Sequence, residues 1–168
     1  MKFWLLLLVV MAQIGILAGE YLGAVYPLWV GKEIKLKTVP IDPRSLFRGN
    51  YTRLRYDISR VKSAQSLRHL RKNEVVYVGL IADEQGIYKA DKIHLQPPTG
   101  VFIRGRLIHA YPDQNKKYPV RYGIEAYFTK KDKALALEHD LQQGGIALVM
   151  VTDEGKATLK TIQANNDD

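Results

Sequence analysis

Cysteine is absent from the 168 residues. Its absence excludes a disulfide framework, thiolate metal ligands and a lipid-modified cysteine anchor, and it leaves the redox compartment open. Histidine is scarce: His69, His94, His109 and His139 stand far apart with no metal-ligand spacing, so neither a metal nor a cofactor site is expected. No glycine-rich phosphate loop and no Gly-x-Ser-x-Gly nucleophile elbow occurs. Low-complexity tracts and internal repeats are missing too. Acidic residues are outnumbered, 17 against 25 basic ones, for a net charge of +8.

What is present is globular in composition, with 46% apolar and 25% charged residues. The length suits one domain plus an anchor and is short for two independent cores.

The anchor is the first segment. Phe3 to Gly19 is apolar except for Gln13, and after Glu20 a second apolar stretch runs from Tyr21 to Val30. At about 1.5 Å per helical residue, the first piece plus one further turn spans a hydrocarbon core roughly 30 Å thick. Tyr21, Tyr26 and Trp29 stand where amphipathic rings favour the interface, and Pro27 marks where the helix ends or bends. A cleaved signal peptide is the rival reading, because Lys2 precedes the apolar run. No pair of small residues at the processing spacing occurs around Ala18, Gly19, Gly23 or Ala24, so the uncleaved anchor is preferred. Lys32, Lys35 and Lys37 follow the span and weaken the charge bias; the expected orientation is amino terminus inside.

Past the anchor the pattern is β. Ile34, Leu36 and Thr38 alternate with Lys35 and Lys37, and Pro40 and Pro43 end that strand. Thr52, Leu54, Tyr56 and Ile58 alternate with Arg53, Arg55 and Asp57. Val61, Ala64, Leu67 and Leu70 are spaced for a short amphipathic helix within Arg60 to Asn73. Val75 to Ile81 and Ile87 to Leu95 form a hairpin about Asp83-Glu84-Gln85-Gly86. Strands are expected from Val101 to Ala110 and from Tyr118 to Phe128, a helix from Lys131 to Gln142, and a last hairpin of Ile146 to Val151 with Ala157 to Ile162 about Asp153-Glu154-Gly155. The fold class is mainly β: an N-terminal transmembrane helix, then an antiparallel sandwich or barrel-like domain with one or two short helices. The expected division is 1–30 anchor and juxtamembrane segment, 31–164 one extracytoplasmic domain, and 165–168 a frayed tail.

The most distinctive stretch runs from Asp42 to Tyr56: Asp-Pro-Arg-Ser-Leu-Phe-Arg-Gly-Asn-Tyr-Thr-Arg-Leu-Arg-Tyr. It resembles the family of bacterial membrane-anchored proteins named for a Gly-Asp-Tyr-x-x-Leu-x-Tyr motif. Gly49, Tyr51, Leu54 and Tyr56 match, while Asn50 stands where the motif has Asp. A second block, Tyr122 to Phe128 with Glu138 downstream, is similar to the family's other recurring region. The resemblance implies an envelope protein of the bacterial inner membrane, single-pass, with a periplasmic domain and a multi-span membrane protein as partner.

Physically, the motif first reads as a strand start. Gly49 admits backbone conformations closed to other residues, Asn50 can bond its own backbone, and the chain alternates from Tyr51 onward. A functional reading gathers Asp42, Arg44, Arg48, Gly49, Asn50, Tyr51, Arg53, Arg55, Tyr56, Arg121, Tyr122 and Glu125 as a ligand or partner surface. In it guanidinium groups grip carboxylate or phosphate, and tyrosines add a stacking wall. The expected function is a noncatalytic module docking onto a membrane-protein partner. Two alternatives stand beside it. One is an envelope hydrolase or transferase on an anionic substrate, with Glu125 or Asp42 as acid or base; the other is an anionic small-ligand sensor. Nucleic acid is not an expected partner for a domain beyond the membrane, and the basic run Lys62, Arg68, Arg71 and Lys72 reads as a solvated face near anionic lipid.

Overall fold

A computed structural model describes residues 2–39, 51–128 and 144–164. The helix α1 (Lys2–Val30) leads. It is long and apolar enough to cross a membrane, and no part of its most apolar window is buried against the rest of the chain. Pro27 lies within the last turn, and its carbonyl takes the N–H of Gly31 at 3.0 Å, which closes the helix. A side chain at Gly31 would stand 2.5 Å from that carbonyl oxygen, so only glycine permits so tight an exit.

Among the described residues ten strands follow: β1 (Lys32–Lys37), β2 (Tyr51–Arg53), β3 (Arg60–Lys62), β4 (Val75–Ala82), β5 (Ile87–His94), β6 (Phe102–Leu107), β7 (Lys117–Arg121), β8 (Ala126–Phe128), β9 (Gly145–Val151) and β10 (Ala157–Ala164). Eight of them make one sheet in the order β10-β9-β1-β5-β4-β6-β7-β3, and β2 and β8 pair separately. The chain is mainly β, as its alternation predicts. The sheet is mixed rather than wholly antiparallel, because β1 and β5 run parallel through Lys35↔Ile87 and Leu36↔Tyr88. At the far edge, an isolated bridge from Ser63 to Ile93 brings the end of β3 against β5, bending the sheet back without continuing the ladder into a closed barrel.

Alternation sets the buried face. Ile34 and Leu36 of β1 sit opposite Val149 and Ala147 of β9, Val78 of β4 lies between Ile93 and Ile103, and Leu107 of β6 meets Val120. All of these are buried in one core with Val61, Leu67, Val76 and Tyr118. The buried Thr38 hydroxyl accepts from Gly145 N–H at 2.7 Å and donates to its carbonyl at 2.9 Å, so the single buried polar side chain of the described core is satisfied twice.

Both predicted hairpins form. Asp83 Oδ1 accepts from the N–H groups of Gln85 and Ile87 while Gly86 takes φ +75°, and Gly155 takes φ +78° in the β9–β10 turn. Three expectations are corrected. The segment Arg60 to Asn73 is not helical: Val61 pairs with Tyr118 across β3 and β7, Ser63 Oγ accepts from Gln65 N–H, and turns follow to Asn73, which has φ +66°. The side chain of Ser63 competes with the backbone where a helix would need its own amides. The strand expected through Ile58 gives way after Arg53 to a bridge at Tyr56 and a 3-10 turn at Asp57–Ser59, although Leu54, Tyr56 and Ile58 do face the core. The strand expected from Tyr118 to Phe128 is interrupted at Gly123, which has φ +87°. The helix predicted from Lys131 to Gln142 and the tail from Asn165 lie outside the described residues.

Candidate functional site

The second half of the motif becomes a clasp. β2 pairs with β8 through Tyr51↔Phe128, Thr52↔Tyr127 and Arg53↔Ala126. Leu54 N–H then donates to the Glu125 carbonyl at 2.8 Å, and the Tyr56 hydroxyl donates to the Ile124 carbonyl at 2.7 Å. In return, the Tyr122 hydroxyl donates to the Ile58 carbonyl at 2.6 Å. Two buried phenols thus stitch the motif to the turn between β7 and β8 in opposite directions. Burial pushes both hydroxyls well above the ordinary tyrosine range, and the nearby Glu125 charge adds to the rise.

Glu125 itself closes that turn. One carboxylate oxygen accepts from Tyr122 N–H at 2.6 Å and the other from Gly123 N–H at 2.8 Å. A carboxylate holding two backbone amides satisfies donors that the broken strand leaves open. Its geometry is that of a turn cap rather than of an acid or base aimed at a substrate.

Among the sequence-predicted residues, Tyr56, Tyr122 and Glu125 come together, but as structure. Neither phenol offers an exposed stacking wall: Tyr56 is 1% exposed and Tyr122 8%. Tyr51 and Arg53 contribute backbone to the β2–β8 ladder, and the exposed Arg55 gives its carbonyl to Val39 N–H at 2.7 Å. Asp42, Arg44, Arg48, Gly49 and Asn50 lie outside the described residues. Arg121 leaves this group and turns to the outer face of the sheet, where its Nη2 donates to Asn73 Oδ1 at 3.2 Å.

There it joins two residues that the sequence reading passed over. Arg104 and Arg106 are exposed on β6, either side of Gly105, and Arg106 sits directly opposite Arg121 on β7. With Val75, Tyr122 and Gly123, these four residues line a hollow of about 290 Å³. Arg106 Nη1 donates to the Asn73 carbonyl at 2.9 Å, so one residue orients two guanidinium groups. The available signal was the alternation Arg104-Gly105-Arg106 in a strand whose other residues are apolar. Among the described residues no group of three His, Asp or Glu side chains is placed to hold a metal ion.

The pairing of Leu54 and Tyr56 with the Tyr122 to Glu125 turn gives the motif a defined place in the fold, and a family model covers that whole region, matching residues 13–162. The chain belongs to the GDYXXLXY protein family. In this GDYXXLXY protein, the Leu and final Tyr of the motif are Leu54 and Tyr56, both buried, the second hydrogen-bonded. Searches of curated proteins and of solved structures find no match.

Proposed function

We propose that this GDYXXLXY protein is a membrane-anchored, noncatalytic envelope module that docks onto a membrane-protein partner, with its amino terminus inside and its β domain beyond the membrane. The observation that carries the reading is the engagement of Glu125, Tyr56 and Tyr122 in the fold: these three candidate site residues are committed to backbone amides and carbonyls. The alternative of a hydrolase or transferase with Glu125 or Asp42 as acid or base loses the support of Glu125 from the same bonds, and Asp42 lies outside the described residues.

The anchor is supported by α1, whose apolar surface is left uncovered by its own domain. Gly15, Gly19 and Gly23 recur every four residues along it, each with open space where a Cβ would stand, which favours close approach by another helix within a bilayer. The domain is held close to the helix exit: Lys156 Nζ donates to the Gly23 carbonyl, and β9 and β10 pack along the last turns. Crosslinking in native membranes followed by mass spectrometry tests the proposal. A reproducible membrane-protein partner is expected, and recovery of none from membranes containing the intact chain contradicts it.

A further inference from the structure

Of the three arginines of the outer-face hollow, Arg106 and Arg121 each give one guanidinium N–H to Asn73, and that use leaves most of their donors and all of their charge uncommitted. Arg106 and Arg121 are directly opposed on neighbouring strands, an arrangement that places like charges together and opposes folding. Asn73 orients both without neutralising either, through its carbonyl and its side-chain oxygen. It does so from a left-handed backbone conformation, φ +66°, fixed by its N–H donating to the Leu107 carbonyl at 2.8 Å. Among the described residues no carboxylate forms an ion pair with Arg104, Arg106 or Arg121. The neighbouring acids are turned elsewhere: Glu74 accepts from Arg71 N–H at 2.7 Å, and Glu125 accepts from Tyr122 and Gly123.

We infer that this hollow is a binding site for a phosphate-bearing small ligand or headgroup. Three guanidinium groups supply many more N–H donors than the two that Asn73 engages, and they carry three positive charges. A single planar carboxylate is satisfied by one bidentate arginine, whereas a tetrahedral phosphate presents oxygens to several donors at once and carries the charge to balance them. The volume, about 290 Å³, lies at the lower bound of small-molecule sites and suits a phosphate with a short organic stem better than a peptide loop. Val75 lines the same hollow and gives the stem an apolar contact. The source is either a free phosphorylated metabolite or a lipid headgroup. The second is within reach because Arg104 N–H donates to the Gly155 carbonyl at 2.8 Å, next to the Lys156 that touches α1. The site stands independently of the docking proposal.

The test uses the full chain in a nonionic detergent, with glycerol 3-phosphate as the free probe, glycerol and ionic-strength-matched chloride as controls, and dioctanoyl phosphatidic acid as the lipid probe. Calorimetric titration and melting curves are the readouts. Saturable binding of glycerol 3-phosphate supports a site open to free phosphates. Binding of the lipid probe alone supports the headgroup source. The double variant Arg106→Gln/Arg121→Gln should weaken either by roughly tenfold or more while its unliganded melting temperature stays level or rises, since a repulsive pair is removed. Asn73→Gly, which keeps the backbone conformation and the carbonyl, should weaken binding less than the double variant. Binding of neither probe above the controls overturns the inference. So does equal binding by the double variant, or binding of a polyglutamate peptide in place of both phosphates.

Discussion

Tyr56, Tyr122 and Glu125 define what the motif region does at the scale of single residues. Tyr122→Phe keeps the ring in the core but leaves the Ile58 carbonyl without its 2.6 Å donor. A buried acceptor left alone costs about 1–3 kcal/mol, so chemical denaturation should show a loss of that size. Glu125→Ala frees the N–H groups of Tyr122 and Gly123 together, and the same measurement should show a comparable loss with no accompanying change in a substrate screen. A normal fold with a lost hydrolytic activity would restore the acid–base reading. The pH dependence follows from the same groups. Both phenols are raised in the folded state from the ordinary value of 10.0, so their contribution is complete below that pH. It is lost as pH rises above it, because the unfolded chain ionises first. On the acid side, Asp83 is lowered chiefly by its bond with Lys89, and Asp113 chiefly by the Lys117 N–H. Their contribution is present above the ordinary value of 3.8 and is lost as pH falls through their folded values. Melting temperatures across pH should therefore flatten at the alkaline end in a Tyr56→Phe/Tyr122→Phe variant and at the acid end in Asp113→Asn.

Strands and turns depend on close approaches that only glycine allows. Gly105 is buried on the core side of β6, and a Cβ there would lie 2.4 Å from Val120 Cγ1 and about 3 Å from the Tyr122 ring. Both neighbours are held in the core, so Gly105→Ala should destabilise by about 1–3 kcal/mol and loosen the clasp with it. Thermal melting of the variant checks this; an unchanged midpoint would mean that β6 and β7 can separate freely. The elements also show what could be read before the structure. Period-two alternation located most strands and their buried faces, because a sheet with one covered face leaves a plain record in the sequence. The failures share a cause. In Arg60 to Asn73 the three-residue spacing of Val61, Ala64, Leu67 and Leu70 resembles a helix, yet a strand pair and a run of turns bury Val61 and Leu67 equally well. At Tyr122 to Glu125 alternation continues across a break made by a side chain bonding backward to the backbone, which periodicity does not record. The arginine hollow was hidden for a related reason: Arg104 and Arg106 meet Arg121 only through the pairing of β6 with β7. The parallel β1–β5 pair was equally out of reach, since strand direction depends on topology rather than on local pattern.

Over the whole molecule, an uncovered apolar helix runs with only a glycine between into a mixed sheet whose outer face is basic. That helix is long and apolar enough to cross a membrane, and its bare surface is what the proposed anchor requires. The turn between β9 and β10 ties the two parts, with Lys156 on the helix and Gly155 on β6. Replacing Gly19 with Ile should leave membrane insertion intact, since it adds apolar surface to α1, while lowering the yield of crosslinked partner, since a branched side chain blocks close helix approach. Equal yields would remove the helix from the docking surface. The most direct test of the account is carbonate extraction of cell membranes followed by mass spectrometry of the amino terminus. The chain is expected to stay in the membrane pellet with residues 2–30 attached; mature protein recovered in the soluble fraction and trimmed before Val30 would contradict a permanent anchor.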